Sequence, residues 1–474
     1  MSSAGFMASF FGGGRASSAA SQEAALPFPD VAPSWESLAA SLEAACLAAG
    51  VEHSPDLVNG PTNPHSLQRL FGSTAPPRVH LYRDTAAWCP YCEKVWLQLE
   101  EKRIPYTVEK INMRCYGDKP ASFLAICPSG MLPALELDGE LYTESAAIAQ
   151  LLEDKFPGHA ALLPAPGTVE RRAADELLRL ERALFSRWMQ WLTRSGDSGK
   201  PGFLEALGMV EQALQRSGGP YFLGPQLSLV DITFAPFLER MAASLLYYKA
   251  FRMRGVGAYP GLEAWFTAMH GRPTFNAIQS DVYTHAHDLP PQLGGCEFNA
   301  LGPAVAAALD GHDSSSWRLP LGPLSDTSLE AWPGGDSPEK DRLEACLRLV
   351  KNHGPVTRFA ARGCGTPGRR PVSAPLSDPT AQPGETHLPD VDAALRLVAH
   401  ALLTGHAADG TPLPSVLAAH GAGAQPRCNG AAASAAAEYL RDRVGVPRDM
   451  RYPAARQLRA HLNWFVDGVQ PAAR

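Results

Sequence analysis

Between Val79 and Met113 the chain reads as strand, helix and strand, with the tetrad Cys89-Pro90-Tyr91-Cys92 at the first joint. The run VHLY (79–82) has the length and apolar content of a buried strand. In CEKVWLQLEEKRI, the residues Val95, Trp96, Leu99 and Ile104 recur at helical spacing, and Pro105 stops the segment. YTVEKINM (106–113) alternates and is β-branched enough for a second strand. Further on, ALELDGELYT (134–143) places Asp138-Gly139 between two short strand-like runs. That pair is a strong hairpin signal, because a type I′ turn needs positive φ at both central residues. A helix from about Ser145 to Phe156 follows, closed by Pro157-Gly158.

The order β-α-β, connection, β-β-α, with cysteines at the N-terminus of the first helix, predicts a thioredoxin-like α/β domain over 78–160. The pattern then turns helical. ADELLRLERALFSRWMQWL carries Leu177, Leu180, Leu184, Trp188 and Trp191 along one face, and Ser228-x-x-Asp231 has the form of a reciprocal N-capping pair. An all-α domain over 167–285 is expected. Upstream, 34–77 reads as one short amphipathic helix (34–50) followed by a Pro/Asn-rich linker. Downstream, 317–474 reads as a helical extension, with helices expected at 340–352, 391–404 and 431–466. Flexible insertions interrupt it, above all the Pro/Gly/Ser-rich 362–390. It is either a small domain of its own or a tail packed on the first two. The first 33 residues are Ser/Ala/Gly-rich and acid-poor, which fits either a disordered tail or a plastid transit peptide.

A net charge of −6 over 474 residues gives no basic field for nucleic acid. No apolar run is long enough to span a bilayer. Nine cysteines, an odd number spread thinly through a long chain, do not describe a disulfide scaffold. In a reducing compartment a Cys-x-x-Cys is then catalytic or metal-binding. A structural zinc site needs four ligands, and only one such pair is present, with no histidine near it in sequence, so no metal is expected.

Two inert core thiols are the other alternative, against which a proline at the first helical position after a buried strand argues, and a reactive thiol is the favoured reading. Pro90 suits the first helical position, which puts Cys89 at the helix mouth. Unpaired N–H groups and the positive dipole end there favour thiolate over thiol. Cys92 lies one turn further along the same face, where it can resolve a mixed disulfide formed at Cys89, a role that monothiol chemistry does not require. Two other elements fit beside this centre. Leu132-Pro133 precedes the hairpin; if that bond is cis, the backbone of Leu132 is open to an extended peptide-like ligand, and otherwise Pro133 is a plain loop proline. Glu144 and Ser145 begin the next helix, where a hydroxyl and free N–H groups hold a carboxylate and Glu144 an ammonium, although Ser145 also serves as a simple cap.

The segments PYFLGPQLSLVDITFAPFLER (220–240), RPTF (272–275), PSGMLPAL and ESAAIAQLL resemble the soluble glutathione transferase superfamily. A cysteine at the helix start is similar to its cysteine-type classes: omega, lambda, dehydroascorbate reductase and iota. Cys-Pro-Tyr-Cys itself is more like glutaredoxin. The C-terminal extension, ending EYLRDRVGVPRDMRYPAARQLRAHLNWF, resembles that of the iota class of photosynthetic organisms.

The resemblance implies a glutathione site on the first domain, with Cys89 facing the glutathione sulfur and Leu132, before cis-Pro133, pairing with its cysteinyl unit. Glu144 and Ser145 would hold the γ-glutamyl end. Lys119 matches a lysine that approaches the glycine carboxylate, or is a solvated loop lysine. Trp188 and Trp191 would line a co-substrate pocket, or serve as core. The implied activity is glutathione-dependent thiol–disulfide exchange on small or protein mixed disulfides, and dehydroascorbate reduction. The alternatives are a conjugating transferase and a non-catalytic binding protein on the same scaffold. The expected setting is chloroplast or cytoplasm, and the expected assembly a homodimer, unless the extension covers the shared edge.

Overall fold

The computed structural model of the protein describes residues 25–313, 315–335, 337–369, 376–420 and 426–470. Strand β1 (Phe28–Pro29) and helix α1 (Trp35–Ala49) precede β2 (Gln68–Arg69) and β3 (Val79–Asp84). Then come α2 (Pro90–Lys102), β4 (Tyr106–Ile111), α3 (Ala121–Ile126), β5 (Ala134–Leu137), β6 (Glu140–Thr143) and α4 (Ser145–Lys155). The five strands of the main sheet lie in the order β2-β4-β3-β5-β6, with β3 and β4 parallel and the other neighbours antiparallel. This is the thioredoxin-type arrangement. β3 takes the centre because Val79, Leu81 and Tyr82 are buried. The hairpin turns at Asp138 (φ 54°) and Gly139 (φ 87°), the paired positive φ that selects Asp-Gly.

The second domain comprises α5 (Val169–Leu192), α6 (Lys200–Arg216), α7 (Leu229–Lys249), α8 (Pro260–His270), α9 (Pro273–Ile278), α10 (Val282–Leu293) and α11 (Gly302–Leu309). α7 is its axis, buried nearly all round, and starts at the capping box of Ser228 and Asp231. The Asp231 carboxylate accepts from the Ser228 and Phe222 N–H groups at 2.9 and 3.0 Å and from Trp265 Nε1 at 3.0 Å. One continuous core joins α2 to α7, so the sheet domain and the bundle share a wall.

The extension comprises α12 (Pro338–Lys351), α13 (His353–Ala360), α14 (Leu388–Thr404), α15 (Leu413–Ala419), β7 (Arg427–Cys428), α16 (Gly430–Arg441) and α17 (Tyr452–Val469). It has its own core, centred on Leu347, Leu395, Val398, Leu462 and Phe465. The region expected as one helix over 431–466 is two, α16 and α17, turned at the cis bond Val446-Pro447. Leu38, Leu42 and Cys46 of α1 pack into the same core, and β1 pairs with β7 through Phe28 and Cys428. The chain N-terminal to the sheet domain therefore completes the C-terminal module.

Three expectations need correction. Residues 25–33 are packed, with Phe28 buried edge-on to Phe465 at 5.2 Å; the rest of the expected tail or transit peptide, 1–24, lies outside the described residues. The linker expected before residue 78 is pinned, because Arg69 donates to Glu100 at 2.8 Å and to the Gly60 carbonyl at 2.7 Å, and β2 extends the sheet edge. The expected flexible insertion 362–390 is held over its described parts by the pair Thr366 and Gln382 and by Leu376, buried against Tyr283 and Trp317. Its residues 370–375 lie outside the described residues. Glycine and proline there serve tight turns, and one buried leucine with backbone pairing suffices to anchor them. Among the described residues no helix is long and apolar enough to cross a membrane.

Candidate active site

The turn between β3 and α2 is built from its buried ends. Asp84 Oδ2 accepts from the Trp88 N–H at 2.7 Å, and Trp88 Nε1 donates to His285 Nδ1 at 3.0 Å. Burial and the Arg240 charge lower the pKa of His285 well below its usual value, which leaves it the neutral acceptor this bond requires. Arg240 of α7 donates to the Trp88 carbonyl, donates to Glu93 at 3.0 Å and lies 4.7 Å over the Trp88 ring. Glu93 shares this pocket with Glu239, whose pKa is raised well above the usual range by burial and by the Glu93 charge. One proton on Glu239 and one guanidinium thus neutralise the buried pair. The loop carrying Cys89 is clamped from behind.

Cys89 occupies the N-cap of α2 with Pro90 at the first helical position, and its side chain caps nothing. Cys89 is buried in the core shared by the two domains, 9% exposed, and Cys92 lies deeper at 1%. Burial raises the Cys92 pKa well above that of an ordinary thiol, and its hydrogen bond to Cys89 adds to the rise. Cys92 is therefore held as a thiol with its S–H directed at the Cys89 sulfur. Tyr91, half-exposed, stacks edge-on to Phe237 at 5.8 Å. Burial raises its pKa first, and the charges of Cys89, Glu181 and Glu144 add to it, so its hydroxyl stands among all three. Sequence reasoning passed over Tyr91, although its place between the two cysteines was the signal.

A cleft of about 510 Å³ opens beside this centre. Tyr91, Leu132, Pro133, Glu144 and Ser145 line it together, while Cys89, expected to face it, lies behind Tyr91 and is not part of the lining. The Leu132-Pro133 bond is cis, and the Leu132 N–H and C=O take no partner among the described residues. Glu144 stands before α4 with φ 68° and ψ 109°, a conformation that costs a non-glycine residue about 1–3 kcal/mol. Its side chain is exposed and makes no capping bond, and Ser145 opens α4 with free amides facing the cleft. The far wall is apolar, with Phe185, Leu178 and Phe237 from the bundle. Lys94 and Glu181 pair across it at 2.9 Å.

Lys119 does not line this cleft. Its Nζ donates to the Asn112 carbonyl at 2.7 Å, and burial lowers its pKa against the opposing charges of Cys92 and Cys89, so it stands near both thiols. Trp188 and Trp191 belong to the core. Both are buried, donating to Ser244 and Asp197 at 3.0 Å, because the stripe they share faces α7 and α6 rather than the opening. Among the described residues no group of three or more His, Cys, Asp or Glu is placed to hold a metal.

Residues 88–155 match the family described as "Glutathione S-transferase, N-terminal domain", and 189–268 match "Glutathione S-transferase, C-terminal domain". The chain is 31% identical over 217 residues to glutathione S-transferase L3 of Arabidopsis thaliana, covering 45% of this chain and 85% of that protein. It is 30% identical over 168 residues to glutathione S-transferase DHAR2 of the same plant, covering 35% and 73%. Among solved structures, glutathione transferase Omega 3C from Trametes versicolor aligns at 28% identity and a TM-score of 0.39, over 45% of this chain and 88% of that one. The two Arabidopsis relatives, 30–31% identical over 73–85% of their length, together with the two family-model matches, identify the chain as a member of the glutathione S-transferase family.

Proposed function

We propose that the protein is a glutathione-dependent thioltransferase with Cys89 as its nucleophile. The observation that carries the reading is the convergence on one cleft of Tyr91, the open backbone of Leu132 and the Glu144-Ser145 corner, next to a cysteine at a helix mouth. A γ-glutamyl carboxylate fits the Ser145 hydroxyl and the α4 amides, and its ammonium fits Glu144. The cysteinyl unit of glutathione fits the Leu132 backbone as one more strand.

The Cys89 thiolate attacks the glutathione sulfur of a mixed disulfide, forming Cys89–S–S–glutathione and expelling the substrate thiolate, which takes up a proton. A second glutathione thiolate attacks the same glutathionyl sulfur, restores Cys89 and leaves as glutathione disulfide. The substrate sulfur is thereby reduced to a thiol and the sulfur of the second glutathione is oxidised, while the first glutathionyl sulfur stays at the disulfide level. Cys92, held as a thiol, donates to Cys89 throughout and is a positioning residue; its own attack would first need a costly buried ionisation. The relatives designated DHAR make dehydroascorbate the second oxidised substrate to assay.

A cysteine here favours exchange over conjugation, because it captures glutathione as a disulfide instead of leaving that sulfur free. The test is turnover of a glutathionylated peptide with glutathione, alongside a chromogenic electrophile. Cys89→Ser is expected to lose peptide turnover by about a hundredfold or more and to gain weak conjugation. Wild-type turnover in Cys89→Ser removes the nucleophile assignment, and an inert wild-type chain leaves only the binding-protein reading.

A further inference from the structure

A second cavity, of about 600 Å³, lies away from the glutathione cleft, where the extension meets the sheet domain. Its floor includes Thr85 and Ala87, on the loop leading to Cys89, and Lys110 at the end of β4. Its walls come from α12, α13, α16 and α17. The lining gathers five cations, Lys110, Arg348, Arg362, Arg443 and Arg448, with a neutral His65 beside them, against the single carboxylate of Asp449.

Few of these cations are neutralised. Arg448 pairs with Asp449 at 3.3 Å and Arg443 approaches Asp378 at 3.8 Å. Among the described residues Arg362 donates to the Ser377 and Asp378 carbonyls and to no carboxylate. Lys110 and Arg348 make no side-chain hydrogen bond or contact ion pair among the described residues, Asp84 acting on Lys110 only from a distance, and Arg348 Nε is buried without a partner. Burial, and then the charge of Arg83, push the Lys110 pKa down to about 8 against the opposing charge of Asp84. His65 is pushed to about 4 by burial and then by Arg348 and Lys110. Lys110 and Arg348, gathered in a partly dry cavity without a contacting counter-charge, cost stability unless an anion joins them. The remaining wall, with Leu349, Val356, Phe359 and Leu440, is apolar.

We propose that this cavity binds a small organic dianion, a phosphate monoester or a dicarboxylate carrying an apolar group. Lys110, Arg348 and Arg362 hold the charged head and the α12–α13 wall holds the body. The site is built jointly by the sheet domain and the extension, so it exists only in chains that carry both.

Isothermal titration calorimetry of the full chain at low salt, with phenyl phosphate and inorganic phosphate as probes, tests this. One phenyl phosphate per chain is expected, bound about fivefold more tightly than inorganic phosphate because of the ring. Lys110→Met with Arg348→Met is expected to weaken phenyl phosphate by about tenfold or more. Each single variant should keep glutathione-driven turnover and, without ligand, melt at the wild-type temperature or above it. Absence of binding, equal affinity in the double variant, or a lower melting temperature in both single variants overturns the proposal, the last because it makes these cations structural.

Discussion

At Glu144 the chain holds a strained backbone at the lip of a cleft, and the same residue presents an unpaired carboxylate to it. Strain of this kind persists where function requires the geometry. Glu144→Gly should therefore stabilise the protein by about 1 kcal/mol while weakening glutathione binding, read by chemical denaturation and by the KM for glutathione. Loss of stability would mean that the carboxylate is structural. At the other end of the cleft, Cys92→Ser should retain glutathione-driven turnover, since a serine hydroxyl still donates to Cys89; turnover as low as that of Cys89→Ser would make Cys92 the resolving thiol. Much of this was legible residue by residue. Cys89, Leu132, Pro133, Glu144 and Ser145 announce themselves by type and by position at element ends. Tyr91 does not, because its role depends on Phe237, 146 positions away in the chain, turning it into the cleft.

Among the elements, α7 and its start show how far local pattern reaches. Ser228-x-x-Asp231 predicts a cap, and the cap is present. The sequence has no means of indicating that Asp231 also accepts from Phe222 N–H and Trp265 Nε1, which come from a turn and from another helix. Asp231→Ala strands all of these donors in the core and is expected to cost about 3 kcal/mol or more, measured as a fall in the urea midpoint. A loss below about 1 kcal/mol, the value of an ordinary cap, would contradict the network. The stripe of Trp188 and Trp191 illustrates the opposite limit. Helical periodicity identifies a buried face but not what it faces, and here it faces neighbouring helices, leaving Phe185 and Leu178 to the cleft.

For the molecule as a whole, the least legible fact is that α1 and the C-terminal helices form one module and that this module docks on the bundle. Sequence separation hides such contacts. The joint includes the fully buried pair of Arg459 and Asp281 at 2.7 Å, roofed by Tyr283 and Trp317. Removing one partner leaves an unpaired buried charge, so Asp281→Ala should cost about 3–5 kcal/mol and separate the melting of the extension from that of the bundle. Asp288 of α10, facing Tyr116, Arg448 and His287, has its pKa raised to about 7 by burial. An acid raised on folding binds its proton more tightly in the folded state, so its contribution falls as pH rises from about 4 to 7. Asp288→Asn should thus gain on the wild type by about 1.4 kcal/mol per pH unit across that window, seen in urea midpoints at pH 5 and 8; a constant difference would show that Asp288 is already ionised. The most direct test of the central claim uses the intact chain with all nine cysteines. After brief exposure to glutathione disulfide, peptide mass mapping should find the glutathionyl adduct at Cys89, discharged by added glutathione and retained in the Cys92→Ser protein. Adducts confined to other cysteines, with Cys89 unmodified, would contradict the account.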